Sequence, residues 1–296
     1  MTISNELLTV EIAGHGAEIV SLKKQGRECL WTGDPAFWNR HAPILFPAVG
    51  KPFNNELHVG DSVYAMKQHG YARDTEFQVV ADDNLQMKPS DSVKLRALFP
   101  SNTNYPYRLD LDVCYQLVAD SVEAIWTVTN SDTCEAFFQI GAHPGFLVPD
   151  YKADDPIHGF IRFYNSLGRH VAPVIVSALT DGNRIPLGKT RHIPAEMPIT
   201  ADTFAHDALV FEDGQVTAAE LLDKGRRPVL RVVCSQAQAF GIWAPFKPGC
   251  PFVCLEPWCG ICDPQGFTSD ISLRQYIHRL LPGGQYTFSY TIRILD

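Results

Sequence analysis

The strongest constraint on the fold is an alternation of apolar and polar residues with a period of two. Residues 109–117 follow this pattern, and it recurs over residues 286–294. Successive side chains of a strand point to opposite faces, so the pattern predicts strands that bury one face and expose the other. The turn-forming residues 282–284, Pro-Gly-Gly, precede the second run and indicate where its strand begins.

Helical spacing is almost absent from the chain. The best helical candidate is residues 217–224, which the sequence also allows to extend a strand. The 21 prolines and 21 glycines are spread along the chain without a linker-like concentration. Many short strands between turns, with no alternating helices, predict packed antiparallel sheets. We therefore expect an all-β fold, a large antiparallel β-sandwich forming one domain over residues 1–296.

Charge and composition exclude several classes of partner. The chain has 25 Lys and Arg against 33 Asp and Glu, a net charge of -8, and no dense basic block. Nucleic acids and anionic membranes are therefore not expected partners. No run approaches the roughly 18 apolar residues needed to cross a bilayer, and no secretory signal is visible. Together with eight cysteines in mostly apolar contexts, which indicate reduced thiols, this predicts a cytoplasmic protein.

Four short segments place reactive polar residues within apolar or glycine-rich runs. They are residues 39–51, 68–74, 138–146 and 252–258. Glu256 ends a predicted strand of apolar residues, 252–255, where a carboxylate is costly unless it is paired or used in chemistry.

His143 is close to Gly141 and Gly145, which allow close approach to the backbone. Taken singly, His143 and Glu256 also fit structural roles, as a hydrogen-bonded core histidine and a salt-bridged carboxylate. Together with the flat faces of Trp243 and Trp258, they favour acid–base chemistry on a polyol such as a sugar.

The residues carry a family resemblance. QHGYARD (68–74), IGAHPGF (140–146) and LEPWCGICD (255–263) resemble, in this order, motifs of the aldose 1-epimerase, or galactose mutarotase, superfamily. HAPILFPAVGK (41–51) has a counterpart in the LacX-like branch, which the chain resembles most. The first motif is shared with the hexose-6-phosphate mutarotase-like branch. The resemblance covers essentially the whole chain and implies a cofactor-independent isomerase that interconverts the α and β anomers of a hexose.

The resemblance also implies individual roles. His143 would donate a proton to the ring oxygen, and Glu256 would take the proton of the anomeric hydroxyl. His69, Arg73 and Asp207 would bind the sugar. For these roles the apolar strand should raise the pKa of Glu256, and His143 should begin as imidazolium, which nearby negative charge would favour.

Other residues near these motifs have weaker assignments. Trp258 and Arg40 are predicted to contact substrate, although Arg40 and Lys51 fit equally well as surface charges. His41 receives no catalytic role, because the first motif matches less closely.

Alternative functions remain open at this point. A hexose-6-phosphate mutarotase would need convergent cations for the phosphate, to which Arg40, Lys51 and Arg73 could contribute. A sugar-binding or regulatory protein of the same fold would keep the site without turnover. Glycoside hydrolysis is less favoured, because it usually needs two carboxylates and only Glu256 has a convincing setting.

The late cysteines suggest a metal site only weakly. Cys250, Cys254, Cys259 and Cys262, with His278 downstream, contain a single C-x-x-C pair, whereas structural zinc usually needs two pairs. We assign no metal ligands. Residues 151–159 and 182–197 are expected to be loops that shape specificity, and the oligomeric state cannot be predicted.

Overall fold

The protein is built from antiparallel strands in a computed structural model that describes residues 1–81 and 90–295. The strands up to residue 99 are β1 (Thr2–Ser4), β2 (Leu8–Ile12), β3 (Ile19–Lys24), β4 (Arg27–Glu28), β5 (Ile44–Leu45), β6 (Glu56–Val59), β7 (Ser62–Ala65), β8 (Gln78–Val79) and β9 (Ser92–Phe99). The single domain expected over residues 1–296 includes residues 82–89 and 296, which lie outside the described residues.

The middle of the chain continues in the same way. Its strands are β10 (Leu109–Val118), β11 (Ser121–Asn130), β12 (Ala136–Phe138), β13 (Ile140–Ala142), β14 (Gly145–Leu147), β15 (Gly159–Tyr164), β16 (Val174–Thr180), β17 (Asn183–His192) and β18 (Glu196–Ile199).

The last third completes the sheets. Its strands are β19 (Leu209–Phe211), β20 (Ala218–Leu222), β21 (Pro228–Val233), β22 (Ala239–Trp243), β23 (Phe252–Cys259), β24 (His278–Leu280) and β25 (Gln285–Ile294). Short 3-10 turns lie at Phe53–Asn55, Ala72–Asp74 and Ile271–Leu273. No helix in the described part of the chain has the length and apolar character needed to span a membrane.

Two large sheets share one apolar core. The nine-stranded sheet has the order β18-β15-β20-β21-β25-β11-β10-β9-β8, and the second sheet has the order β19-β22-β23-β13-β5 with β14 also paired to β23. Trp126 and Phe288 of the first sheet belong to the same core cluster as Phe240 and Leu255 of the second. The all-β fold of antiparallel sheets is therefore confirmed.

The two alternating runs lie where one face of the large sheet is buried. Residues 109–117 lie in β10 and residues 286–294 in β25, and both strands pair with β11. On β10 the apolar positions Leu109, Leu111 and Val113 are fully buried, while Asp110 and Asp112 between them are partly exposed. The period of two therefore predicted both the strands and the face that meets the core.

The helical option for residues 217–224 is wrong. Ala218–Leu222 is strand β20, which lies between β15 and β21 and is buried at every position. Its one charged residue, Glu220, is paired with Arg162 and Arg231 on the neighbouring strands. A strand buried on both faces has no alternation, so its sequence cannot be distinguished from a short helix.

Residues 182–197 are also not a loop. They contain β17 and the start of β18, and β17 pairs with β16 in a separate two-stranded hairpin. Most of β17 after Arg184 is exposed. Both faces of that part are solvated, so the sequence lacks the alternation that reveals a half-buried strand.

Removing the largest fully buried side chain of the large sheet should test the shared core. Trp126 is fully buried, with its ring centroid 5.2 Å from those of Phe288 and Tyr290. We expect Trp126→Ala to lower the free energy of unfolding by about 3–5 kcal/mol, measured by urea denaturation. Val118→Ala, at the exposed end of β10, is the control and should change it by less than about 0.5 kcal/mol. A cost for Trp126→Ala no larger than that of the control would contradict this account.

Candidate active site

A cavity of about 380 Å³ lies against the second sheet and collects most of the residues that the motifs singled out. The predicted residues that line it are His69, Arg73, His143, Asp207, Glu256 and Trp258. They come from segments separated by up to 189 positions in the sequence, so the sheet brings them together.

Strand β23 presents one face to the core and the other to this cavity. Val253 and Leu255 belong to the main core, while Glu256 and Trp258 line the cavity. The sequence analysis placed the end of this strand at Glu256, which is incorrect. The strand continues to Cys259, because β22 and β13 pair with it beyond Glu256.

The pairing register places His143 opposite Glu256. On one side of His143, Gly141 pairs with Trp258 in β23, and on the other side Gly145 pairs with Cys254. The register is the same on both sides of this interruption, and the Leu255 N–H donates to the Pro144 carbonyl between them. His143 is therefore held on the cavity side of the sheet by strands that flank it.

Two glycines make room for the Trp258 indole. A Cβ on Gly141 or on Gly241 would lie 2.8 Å from an indole carbon of Trp258. Such a distance is shorter than carbon atoms tolerate, so any larger residue would displace the indole. The glycines of neighbouring strands thus allow Trp258 to lie against the sheet as part of the cavity wall.

The two residues predicted to be catalytic are in direct contact. His143 Nε2 lies 3.1 Å from Glu256 Oε2, and their side chains are only 9% and 1% exposed. Within the described residues, neither oxygen of Glu256, nor His143 Nδ1, nor the Trp258 indole nitrogen has a partner in hydrogen-bonding geometry. Buried polar groups are normally hydrogen-bonded, so this group of atoms is unusual and is directed at a space that a polar ligand could fill.

The environment favours the neutral form of both groups. Burial raises the pKa of Glu256 well above its usual range, and the nearby charge of Asp207 raises it further, while the Trp258 side chain partly opposes this. Burial lowers the pKa of His143 to about 3, with Arg73 and Arg40 contributing. The direction for Glu256 agrees with the sequence analysis. For His143 it is opposite, because burial disfavours the imidazolium and the charges of Arg73 and Arg40 disfavour it further.

His69 is held by backbone bonds in a strained turn. Its φ is 67°, and a Cβ on the following Gly70 would lie 2.2 Å from the Phe46 carbonyl oxygen, which explains the His-Gly pair. The Gly50 N–H donates to His69 Nδ1 over 3.1 Å, so the neutral ring carries its proton on Nε2. Burial and the neighbouring His143 lower the pKa of His69. The ring is therefore a neutral hydrogen-bond donor.

Arg73 and Arg40 have different positions. Arg73 lines the cavity, and its NH2 donates to the Gln68 carbonyl. Arg40 is absent from the cavity lining and instead pairs with Asp74 at 2.7 Å while donating to the Arg73 carbonyl. The sequence analysis placed Arg40 in the substrate pocket, whereas the structure places it behind Arg73. Lys51 likewise pairs with Asp181, at the tip of the β16–β17 hairpin.

Sequence reasoning missed part of the cavity wall. Trp38, which it missed, packs 4.9 Å from the His143 ring, while Trp243, whose flat face it had considered, lies 5.5 Å from that ring, measured between ring centroids. Leu179 and Gly182, from the β16–β17 hairpin, also line the cavity. Only the nearness of Trp38 to the first motif could have signalled its role. Residues 151–159, expected to shape specificity, line a separate cavity.

Among the described residues, the four late cysteines do not gather into one group of potential metal ligands. All are free thiols, and Cys250 and Cys259 donate to the carbonyls of Phe252 and Gln236. In the described part of the chain, the one group of three or more potential metal ligands is His143, Cys254 and Glu256. Of the four cysteines, Cys254 alone belongs to this group, beside the histidine and the carboxyl of Glu256.

With this geometry in place, comparison with known proteins is decisive about the family. The model of the aldose 1-epimerase family matches residues 1–293. The chain belongs to the aldose 1-epimerase family. This membership confirms the resemblance found in the motifs and supports a sugar epimerase function.

The relatives of this aldose 1-epimerase family member agree in length as well as in fold. The chromosomal LacX protein of Lactococcus lactis is 28% identical over 309 residues, covering 99% of both chains. The crystal structure of a galactose mutarotase related enzyme from Lactobacillus acidophilus is 27% identical, with a TM-score of 0.87 and coverage of 100% and 97%. A galactose mutarotase-like protein from Lactobacillus casei has 28% identity, a TM-score of 0.87 and 99% coverage of both chains.

The raised pKa of Glu256 predicts a dependence of stability on pH. The stabilisation due to its protonated form is complete below the ordinary value of 4.5 and is lost as the pH rises toward the folded-state pKa. Each unit of pKa shift corresponds to about 1.4 kcal/mol. Glu256→Gln has no charge to acquire, so its Tm should increasingly exceed that of the wild type between about pH 5 and 8.

Differential scanning fluorimetry across this pH range measures the difference. Glu6→Gln, at an exposed position, serves as the control and should follow the wild type at every pH. If the Tm difference between Glu256→Gln and the wild type stays constant or narrows with rising pH, burial does not penalise the carboxylate.

Proposed function

We propose that this protein is an aldose 1-epimerase that interconverts the anomers of a free aldohexose, with Glu256 and His143 as the proton-transfer pair. The observation that carries the proposal is the 3.1 Å contact between these side chains at the wall of the cavity. A carboxyl and an imidazole that have no other hydrogen-bond partner for these atoms among the described residues can serve as acid and base to one small molecule.

The reaction requires that one proton be removed from the sugar and one proton be added to it. Ring opening removes the proton of the anomeric hydroxyl and adds a proton to the ring oxygen, while the bond between C1 and the ring oxygen breaks. The resulting aldehyde rotates about its C1–C2 bond and closes again, with the proton transfers reversed. Both oxygens are attached to the same carbon, so the acid and the base must be close together, as Glu256 and His143 are.

The pair carries a single proton through the cycle. With one proton it exists either as carboxylate and imidazolium or as neutral acid and neutral imidazole, and the two forms differ only in where the proton lies. Burial favours the neutral form, and transfer of the proton across the contact gives the charged form. From the charged form, His143 protonates the ring oxygen and Glu256 takes the hydroxyl proton, which returns the pair to its neutral form.

The remaining lining groups suit sugar hydroxyls. His69 offers an N–H donor, Arg73 offers guanidinium donors, and exposed Asp207 offers carboxylate acceptors. Trp38, Trp243 and Trp258 supply the apolar faces that pack against the C–H faces of a pyranose. Small-molecule sites typically combine a mostly apolar or aromatic wall with a few polar groups that orient the ligand.

The charge of the cavity favours a free sugar over its phosphate. Among the described residues that line it, Arg73 is the only Lys or Arg, and the carboxyl groups of Asp207 and Glu256 share the wall. The other cations considered for a phosphate, Arg40 and Lys51, are engaged with Asp74 and Asp181. A dianionic phosphate would therefore lack the convergent donors that it normally needs.

Replacing either member of the pair should abolish most of the turnover. We expect Glu256→Gln and His143→Asn each to lower kcat by roughly 10²–10⁴-fold, since each loses one proton-transfer group. Polarimetry on freshly dissolved α-glucose and α-galactose, corrected for the spontaneous rate, measures the effect.

Asp154→Asn, in the separate cavity, is the matched control and should keep the wild-type rate. Near-normal rates in both folded variants would remove the assignment of the pair. A wild-type protein that is stabilised by sugars but shows no rate above the spontaneous one would instead be a sugar-binding protein.

The enzyme should discriminate against phosphorylated sugars. We expect kcat/KM for glucose to exceed that for glucose 6-phosphate by at least about tenfold, because a phosphate without its charge-assisted hydrogen bonds is poorly stabilised. Coupled assays that consume the β anomer of each sugar measure the ratio. Lys51→Ala should leave the ratio unchanged, and a preference for the phosphate would identify the hexose-6-phosphate branch.

A further inference from the structure

Three atoms that commonly bind metal ions converge beside the cavity. A ring nitrogen of His143, Cys254 Sγ and a carboxylate oxygen of Glu256 all lie within 4.8 Å of one another, and all three residues are buried. The proton-transfer chemistry uses His143 and Glu256 but has no role for Cys254. The thiol is therefore an additional group whose presence at this position calls for an explanation.

The backbone fixes this arrangement. Cys254 and Glu256 are two residues apart in β23, so their side chains project from the same face of the strand. His143 is held opposite Glu256 by the ladders on either side, one of which pairs Gly145 directly with Cys254. Three different ligand types thus come together on a rigid part of the sheet, where a metal site gains from preorganisation.

The donor set matches a borderline-soft divalent cation. An imidazole nitrogen, a thiolate sulfur and a carboxylate oxygen are the three ligand types that Zn²⁺ takes in proteins, and three protein ligands leave a fourth position open. Two further observations point to a ligand at this place. Both oxygens of the Glu256 side chain, which is 1% exposed, lack a hydrogen-bond partner among the described residues, and the cavity gives access from one side. A dication would also balance the carboxylate and the thiolate.

We propose that His143, Cys254 and Glu256 form an inhibitory binding site for Zn²⁺ or a similar thiophilic divalent cation, with the open coordination position facing the cavity. Binding converts the thiol to a thiolate and releases its proton to solvent. The cation occupies the His143 imidazole and an oxygen of Glu256, the two groups that the sugar needs. The inhibition rests on the proposed function, whereas the binding does not.

Cobalt titration tests the binding directly. Purified protein freed of metals with a chelator, and kept reduced by a phosphine that does not compete for metal, is titrated with Co²⁺. We expect one equivalent to bind with a thiolate-to-cobalt charge-transfer band, and Zn²⁺ to abolish the band by displacement. Cys254→Ala should lose the band and bind Zn²⁺ at least about tenfold more weakly by calorimetry. Cys250→Ala, which removes a thiol outside the cluster, should retain both signals.

Anomer interconversion with added Zn²⁺ tests the consequence. We expect the cation to inhibit the wild type and Cys250→Ala, while Cys254→Ala remains active and becomes at least about tenfold less sensitive. If Cys254→Ala does not fold, Cys254→Ser replaces it in both measurements. The absence of an equimolar band in the wild type, or a band that survives loss of Cys254, would overturn the site. A cobalt band in a protein without epimerase activity would keep the site and refute the proposed function.

Discussion

The pairing of strand β23 with β13 and β14, two short strands separated by a gap, is the constraint on which the rest of the site depends. Strands β13 and β14 run along β23 in one continuous register, and the two residues between them, His143 and Pro144, are not part of either strand. This interruption leaves the imidazole beside a carboxyl that the central strand carries into the sheet. Hydrogen bonds of the ladder, and not the side chains themselves, hold the acid and the base 3.1 Å apart.

Burial makes the pair of Glu256 and His143 costly to the folded protein. Glu256 lies in a strand whose other face meets the main core, and within the described residues neither of its oxygens has a partner in hydrogen-bonding geometry. A buried carboxylate without hydrogen bonds opposes folding unless it is protonated or bound to something. Functional sites often retain groups that reduce stability in this way. A sugar hydroxyl and a divalent cation would both satisfy the same oxygens, so the proposed turnover and the proposed metal binding would compete for one set of atoms.

Much of the cavity could be predicted because its residues break a regular pattern. Charged or imidazole side chains within apolar runs identified His143 and Glu256, and the motif resemblance added His69, Arg73 and Asp207. Arg40 has the same residue type and a similar setting to Arg73, yet it lies behind the cavity wall in an ion pair with Asp74. Its sequence could not reveal this, because the direction of a side chain in a loop is set by contacts with distant segments.

By itself the sequence determined the class of the fold, the faces of the half-buried strands, and the inventory of groups able to move a proton. Period-two alternation and isolated polar residues are local signals, because they depend only on residues that are close together in the sequence. Only the tertiary structure decided that β23 continues past Glu256 and that Trp38 and the β16–β17 hairpin help enclose the cavity. It also decided that Cys254 faces His143. These facts depend on strand register and on burial from both sides, which arise from pairing between residues far apart in the chain.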